Sequence, residues 1–586
     1  MKKVRTTWNL TSLYRGPRDP RIEKDARFIE RAYETFEKKY RGKKNYLKNK
    51  QSLKKALMDY EALVKKVDSV KPLMYFHLLR ELNGDNRLAQ ARVRQLEDRF
   101  TKSSNRIQFF ELALGTIPAR EQKTFLSSPT LSRYRRFLER IFETAKYDLT
   151  EPEENILSLK SAPAQSMWVS GVDTAINKIE IRHNGKNIPI NEALGKVSET
   201  KNVRARRALW EEITSALLTI SDFAQSEMNA IYTDKKINDT LRGFRAPYAA
   251  TILGYENEEK SVLSLVDTVT KNFTASRRFF EMKRRLLGLP YLSYADRNVS
   301  IGKTEKRYSF TNAVDIVHDV FKKADKRYAE ILDSYLLHGQ IDVYPKKGKS
   351  GGAYCLSTIG LPTRVLLNHV PTFRSVSTLA HEMGHAIHAE RSKTQPVLYE
   401  GHSIAVAETA STFFEGLVFE RIKKELSKEE QVIALHDKIQ DDISTIHRQI
   451  AFFNYERELH ERVRADGWVS KEEMAKMLNT HMAAYLGPAV KMAERDGYFF
   501  TMVGHFRRPF YVYTYAYGQL ISKALLRRYM EDPTYIQKID AFLSAGASKK
   551  PEDIFADIGI VVGPELFSEG LKSIEQDIRE LGRLTK

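Results

Sequence analysis

The 586-residue chain has a single cysteine, Cys355, so no disulfide can close within it. That excludes the disulfide-stapled scaffolds of oxidising compartments. No apolar run approaches the roughly 18 residues that a membrane-crossing helix requires, and no secretory-leader segment follows Met1-Lys2-Lys3. Internal repeats, low-complexity tracts and lipidation signals are missing as well. These absences predict a reducing cytoplasm and no membrane partner. Acids are the minority charge: 75 Asp and Glu stand against 95 Lys and Arg, a formal net charge of +20. Such a surplus can bind nucleic acid or acidic surfaces. Basic runs such as Lys38–Lys44 have acids interspersed around them and no nucleic-acid motif beside them, so solvated helix faces are expected and a specific nucleic-acid partner is not. Attraction of acidic peptides is a side reading of the same charge.

Helical periodicity is abundant. Apolar residues recur at helical spacing over Glu23–Tyr40, Leu53–Val67, Arg87–Gln108, Val203–Ile237, Ser261–Leu287, Asn312–His338, Glu430–Arg464 and Lys471–Tyr485. Strand-like patterning is confined to Lys178–Arg182 and to the region around 341–368. A predominantly α protein with one small sheet is predicted, and a chain of this length forms more than one lobe.

The most informative residues are His381-Glu382-Met383-Gly384-His385. Residues four apart on a helix lie about 5–6 Å from each other at Cβ, so both imidazoles can reach one metal ion. This is the H-E-x-x-H pattern of zinc hydrolases, in which the intervening carboxylate acts as a base. At about 100° per residue, His385 falls roughly 40° from His381, while Leu379, Met383, Ala386 and Ile387 fall roughly between 140° and 240°. The histidines thus share one face and an apolar stripe the other. Gly384, costly inside a helix, predicts a close approach of another backbone or a ligand.

A catalytic zinc usually takes a third protein ligand. Glu390 lies half a turn away from His381 on the same helix and is excluded, and Glu400 falls in a turn. Glu408 and Glu415 lie seven apart on one face of a second helical pattern, Ser403 to about Leu426, with Ser403 as its N-cap. Spacing does not choose between them. A longer pattern needing glycine at position 388 and histidine at 391 fails on His388 and Arg391. His388 shares the ligand face but sits about 10.5 Å along the axis from His381. It is read as orienting a ligand or facing substrate, or simply as a satisfied polar side chain.

The stretches Thr378–His388 (TLAHEMGHAIH) and Val406–Glu415 (VAETASTFFE) resemble the oligoendopeptidase F branch of the thimet oligopeptidase and neurolysin family of zinc metallopeptidases. Gly348–Leu356 (GKSGGAYCL) looks like that family's Gly-rich loop and edge strand, Thr7–Tyr14 (TWNLTSLY) like its N-terminal segment, and His505–Tyr515 (HFRRPFYVYTY) like its C-terminal His/Tyr segment. The likeness runs nearly end to end and is most specific over 348–415 and 498–518.

The resemblance implies one zinc ion per chain held by His381, His385 and Glu408, with Glu382 as general base. It favours Glu408 over Glu415, which is then either a carboxylate orienting a ligand histidine or a buried paired acid. It also implies that His505 and tyrosines bind the scissile carbonyl; Tyr511 and Tyr515 are the choice, on one helical face if Pro509 begins a helix. A Trp expected shortly before His505 is replaced by Thr501-Met502-Val503. Gly352, Ala353 and Tyr354, on a strand edge, are assigned to substrate backbone, and Cys355 to small buried filler. Two helical lobes flanking a deep channel follow from the family, divided as 1–195 and 196–586, with the small sheet beside the zinc helix. The expected activity is cleavage of internal bonds in short unstructured peptides. The alternatives are a helical zinc carboxypeptidase and a basic binding protein with a vestigial metal motif.

Overall fold

Helix boundaries follow local capping chemistry. In the computed structural model, which describes residues 4–302 and 306–586, the N-terminal third opens with α1 (Arg21–Tyr40), α2 (Lys50–Val67), α3 (Lys71–Leu82) and α4 (Arg87–Asn105). Asn49 accepts the Gln51 and Ser52 amides to start α2, and Asn86 accepts that of Ala89 to start α4. The Lys178–Arg182 pattern becomes one arm of a hairpin, β1 (Glu180–His183) with β2 (Lys186–Pro189).

Each of the four longest predicted helices is in fact two. Val203–Ile237 divides into α5 (Val203–Leu218) and α6 (Ser221–Arg242), and Ser261–Leu287 into α7 (Glu259–Lys271) and α8 (Phe273–Leu286). Asn312–His338 divides into α9 (Phe310–Ala324) and α10 (Lys326–His338) at Asp325, whose extended backbone and side-chain bond to the Arg327 amide start a new helix. α11 (Phe373–Ser392) carries the metal motif and α12 (Ile404–Lys423) follows it, with Ser403 accepting the Ala405 amide as N-cap. Glu430–Arg464 divides into α13 (Lys428–Thr445) and α14 (His447–Asp466), and α15 (Lys471–Leu486) follows. Apolar periodicity survives such breaks, so the pattern alone could not reveal them.

The fold is predominantly α, with a three-stranded sheet beside α11. Its order is β3 (Ile341–Asp342), β5 (Arg364–Leu366), β4 (Tyr354–Leu356), with β3 and β5 parallel and β4 antiparallel at the edge. The 5–9 segment is laced along β3. Val343 donates to the Thr6 carbonyl at 3.0 Å, Asn9 to Gly339 at 2.7 Å, and the Trp8 indole to Gln340 at 3.1 Å and Val365 at 2.8 Å. Apolar side chains gather in two clusters. One holds residues from Trp8 to Ile141 together with Leu366 and Tyr399; the other runs from Val172 to Leu581. Among the described residues no helix is long and apolar enough to cross a membrane.

The stripe predicted on the motif helix is buried: Leu379, Met383, Ala386 and Ile387 are all 0% exposed. The close approach at Gly384 is the backbone of α12. A Cβ there would stand 2.6 Å from the Ser411 Cα and 3.1 Å from the Ala410 carbonyl oxygen. Gly384→Ala is therefore expected to destabilise by about 1–3 kcal/mol through overpacking. At Gly195, exposed within the helix Ile190–Glu199 and with open space around it, the same change should stabilise by about 0.4–1 kcal/mol. Urea midpoints of the two variants test the contrast, and equal effects would disprove it.

Candidate active site

α11 and α12 cross so closely that side chains one turn apart on the first meet a carboxylate on the second. His381 Nε2 lies 3.4 Å and His385 Nε2 3.8 Å from Glu408 Oε2. One ligand atom from each of the three residues lies within 4.8 Å of the others. The far nitrogen of His381, Nδ1, is 3.1 Å from Glu415 Oε2. With Glu415 accepting that N–H, Nε2 is left to face Glu408, the usual arrangement behind a metal-binding imidazole. Ser411 donates to Glu408 Oε2 at 3.1 Å and fixes its rotamer.

The charges are held by one another. Burial opposes a charge on His381, but its bonds to Glu408 and Glu415 outweigh this and raise its pKa well above the imidazole range. Burial also opposes the Glu408 carboxylate, yet the His381 bond and both imidazoles bring it down to about 2. His385, without a second carboxylate, is pushed by burial to about 4. Glu382 is shifted in the opposite direction to Glu408. It is 5% exposed, its Oε2 has no hydrogen-bond partner, and burial lifts its pKa to about 7 against the opposing field of His381. The set fits a zinc ion: two neutral-capable imidazoles, one carboxylate and an orphaned buried acid alongside.

The other predicted residues are distributed unevenly. His388 is 1% exposed and stacks on His402 at 3.9 Å, with Phe542 at 5.2 Å. It faces protein, and the structure does not bring it to the three ligands. Glu390 is bonded to Tyr335 and Lys393, away from the site. Gly352 adopts a left-handed φ of 72°, which leads into the β4 edge through Ala353. The Tyr354 ring packs into the N-terminal cluster, so only its backbone is available at that edge. Cys355 is half-buried rather than buried; it packs on the main cluster, and burial together with the charges of Glu382 and Glu390 holds its thiol protonated. The Gly-rich loop is tied down by the buried Lys349, which donates to Asp342 Oδ1 at 2.7 Å and to the Leu367 carbonyl at 2.5 Å, and by Gly84, which donates to Gly348 at 2.7 Å.

The His/Tyr segment differs from expectation. Pro509 does not begin a helix; two 3-10 turns, Glu494–Met502 and Gly504–Arg507, lead to α16 (Tyr513–Glu531). The reason is Phe510, whose φ is 63°, incompatible with a right-handed helix. Its amide donates to Glu456 on α14 at 2.9 Å, and its ring is sunk between Tyr248, Phe453 and His460. Tyr511 thus precedes the helix and Tyr515 lies within it, yet their hydroxyls are 3.4 Å apart and Tyr511 is hydrogen-bonded to His505 Nδ1. Burial, aided by the positive charge of Arg448, depresses His505 to about 4, leaving it neutral near pH 7. Gly518, one turn beyond Tyr515, lets α16 press against Glu408: a Cβ there would stand 2.8 Å from that residue's Cβ.

Two residues that sequence reasoning missed hold this segment. Buried Arg507 uses all five N–H donors, on both oxygens of Glu227 and on the Phe500, Thr501 and Val503 carbonyls. The Gln165 side-chain amide donates to the Arg507 carbonyl at 2.7 Å. Nothing in the spacing of Glu227 or Arg507 marks them; Gly518 could have been flagged by the reasoning applied to Gly384. Glu227→Ala strands a buried guanidinium and is expected to cost about 3–5 kcal/mol. Removing Asp98 from its exposed pair with Lys102 should barely move the urea midpoint, and comparable shifts would refute the anchoring role.

Known proteins share this organisation. Residues 197–562 match the profile of peptidase family M3, and residues 114–178 that of oligopeptidase F. An oligoendopeptidase F homolog of Borreliella burgdorferi is 26% identical over 476 residues, covering 78% of this chain and 79% of that one. Oligopeptidase PepF of Bacillus subtilis is 23% identical over 606 residues, covering 99% of this chain and 88% of its own. The crystal structure of oligoendopeptidase-F from Enterococcus faecium has the same fold, with a TM-score of 0.71 at 18% identity over 97% of this chain and 99% of that one. The M3 profile spans well over half of the sequence and includes the crossing of α11 and α12, and the chain belongs to peptidase family M3.

Proposed function

We propose that this chain is a zinc-dependent oligoendopeptidase that hydrolyses internal bonds of short unstructured peptides in a reducing cytoplasm. The observation that carries the reading is the convergence of His381, His385 and Glu408 within 4.8 Å beside the unpartnered Oε2 of Glu382. A zinc ion held by those three residues supplies Lewis-acid activation of water and carbonyl near neutral pH. Glu382 Oε2 takes the proton of the attacking water and delivers it to the departing amide nitrogen. Neutral His505, fixed through Nδ1 to Tyr511, and the Tyr515 hydroxyl are donors for the negative charge that develops on the carbonyl oxygen. Glu415 keeps the His381 ring in register. The outer edge of β4 offers unpaired backbone to an extended peptide, which gives affinity without demanding a particular sequence.

Glu382→Gln should retain one zinc per chain by elemental analysis while turnover falls by about 10²–10⁴; near-normal cleavage would overturn its role. His381→Ala should lose the metal together with the activity. A C-terminally amidated peptide, its products read by mass spectrometry, separates endopeptidase from carboxypeptidase. Internal cuts that vanish on chelation are the expected result, and stepwise loss of terminal residues from free-acid peptides alone would favour the alternative.

A further inference from the structure

Arg448 opens α14, and among the described residues it has neither a carboxylate within ion-pairing distance nor any hydrogen-bond acceptor; its Nε is buried without a partner. On the same helix Arg462 faces Glu473 and Arg464 faces Asp239, and Arg457, which also lacks a partner among the described residues, is exposed to water where Arg448 is half-buried. A half-buried cation left unpaired is costly and calls for a reason. Its surroundings supply one. The guanidinium lies over the Phe452 ring, 5.8 Å from the centroid, and that ring is 6.2 Å from the ring of His505. These two separations put Arg448 no more than about 12 Å from the imidazole, the reach of three or four residues of extended chain at roughly 3.3 Å each.

We propose that Arg448 is a specificity-determining residue that binds a carboxylate of the peptide a few residues from the scissile bond. The planar fork of a guanidinium matches a carboxylate in bidentate fashion, and an apolar ring beneath it limits competition from water. The chemistry is shared by a C-terminal carboxylate and by an Asp or Glu side chain. In the first case Arg448 measures peptide length; in the second it reads sequence. The field of Arg448 on His505 and Tyr515 is consistent with this proximity. The inference rests on the peptidase reading for the meaning of the site, but its test does not depend on turnover.

Isothermal titration calorimetry on chelator-treated protein, in which no peptide is consumed, compares wild type with Arg448→Gln. Three forms of one short peptide are titrated: free acid, C-terminal amide, and amide carrying one glutamate. Wild type should bind the free acid or the glutamate form about 10- to 100-fold more tightly than the acid-free amide, and Arg448→Gln should bind all three alike. Preference for the free acid identifies the terminus, and preference for the glutamate form a side chain. Equal affinities of wild type for all three forms overturn the proposal, even should the variant fail to fold. Failure of the peptidase reading looks different: zinc-loaded wild type would leave the same peptides uncut whatever their affinity.

Discussion

Everything at this site depends on how near two helices can come. Gly384 removes the one Cβ that would hold α12 away from α11, and the Ser411 backbone fills the space. Only at that separation do His381 and His385 on one helix and Glu408 on the other fall within coordinating distance of one point. Gly518 repeats the device on the opposite side, bringing α16 against Glu408. The helix α12 is thereby held between two glycine notches, and Ser411 donates to the Glu408 carboxylate that it carries. Packing, not electrostatics, makes the first contribution; the mutual stabilisation of His381, Glu408 and Glu415 can act only after the backbones have met.

Around that crossing the protein spends polar groups to hold irregular chain. The 494–512 segment makes a nine-residue and a four-residue 3-10 helix and a left-handed residue, none of which is stable in isolation. Its shape is imposed from behind by Glu227 through Arg507 and by Glu456 through the Phe510 amide. Such anchors act because they are buried: a charged pair in water contributes little, whereas one excluded from water cannot lose a partner cheaply. The result is a rigid backing for His505, Tyr511 and Tyr515, which meet although they come from different local conformations.

What could be read in advance follows from which interactions are local. The faces of α11, the Ser403 cap and the predominance of helix rest on contacts within a few residues, and periodicity records those; the small sheet was legible only as strand-like stretches, since its β3–β5 pairing joins residues more than twenty positions apart. The breaks at Asp325 and Ile446 were invisible because apolar spacing continues through them. The helix expected from Pro509 failed for a tertiary reason, since burial of the Phe510 ring and capture of its amide by α14 outweigh a favourable N-terminal proline. His388 shares a face with His381 and His385, but that face extends beyond the site, and its outer end is covered by His402. The choice of Glu408 over Glu415 came from likeness to a family; helical spacing alone treated the two as equivalent.

The lacing of residues 5–9 along β3 has a consequence for how the molecule is made. The hydrogen-bond acceptors of Trp8 are translated 332 and 357 positions after it. At roughly 5–20 residues per second, about a quarter of a minute to a minute passes before the strand it seals exists. The 5–9 segment lacks those acceptors through that interval, and the small sheet closes only when earlier and later portions of the nascent polypeptide find each other. Such non-local closure is slow, so the last step in assembling this region waits on residues translated long after the segment that seals it.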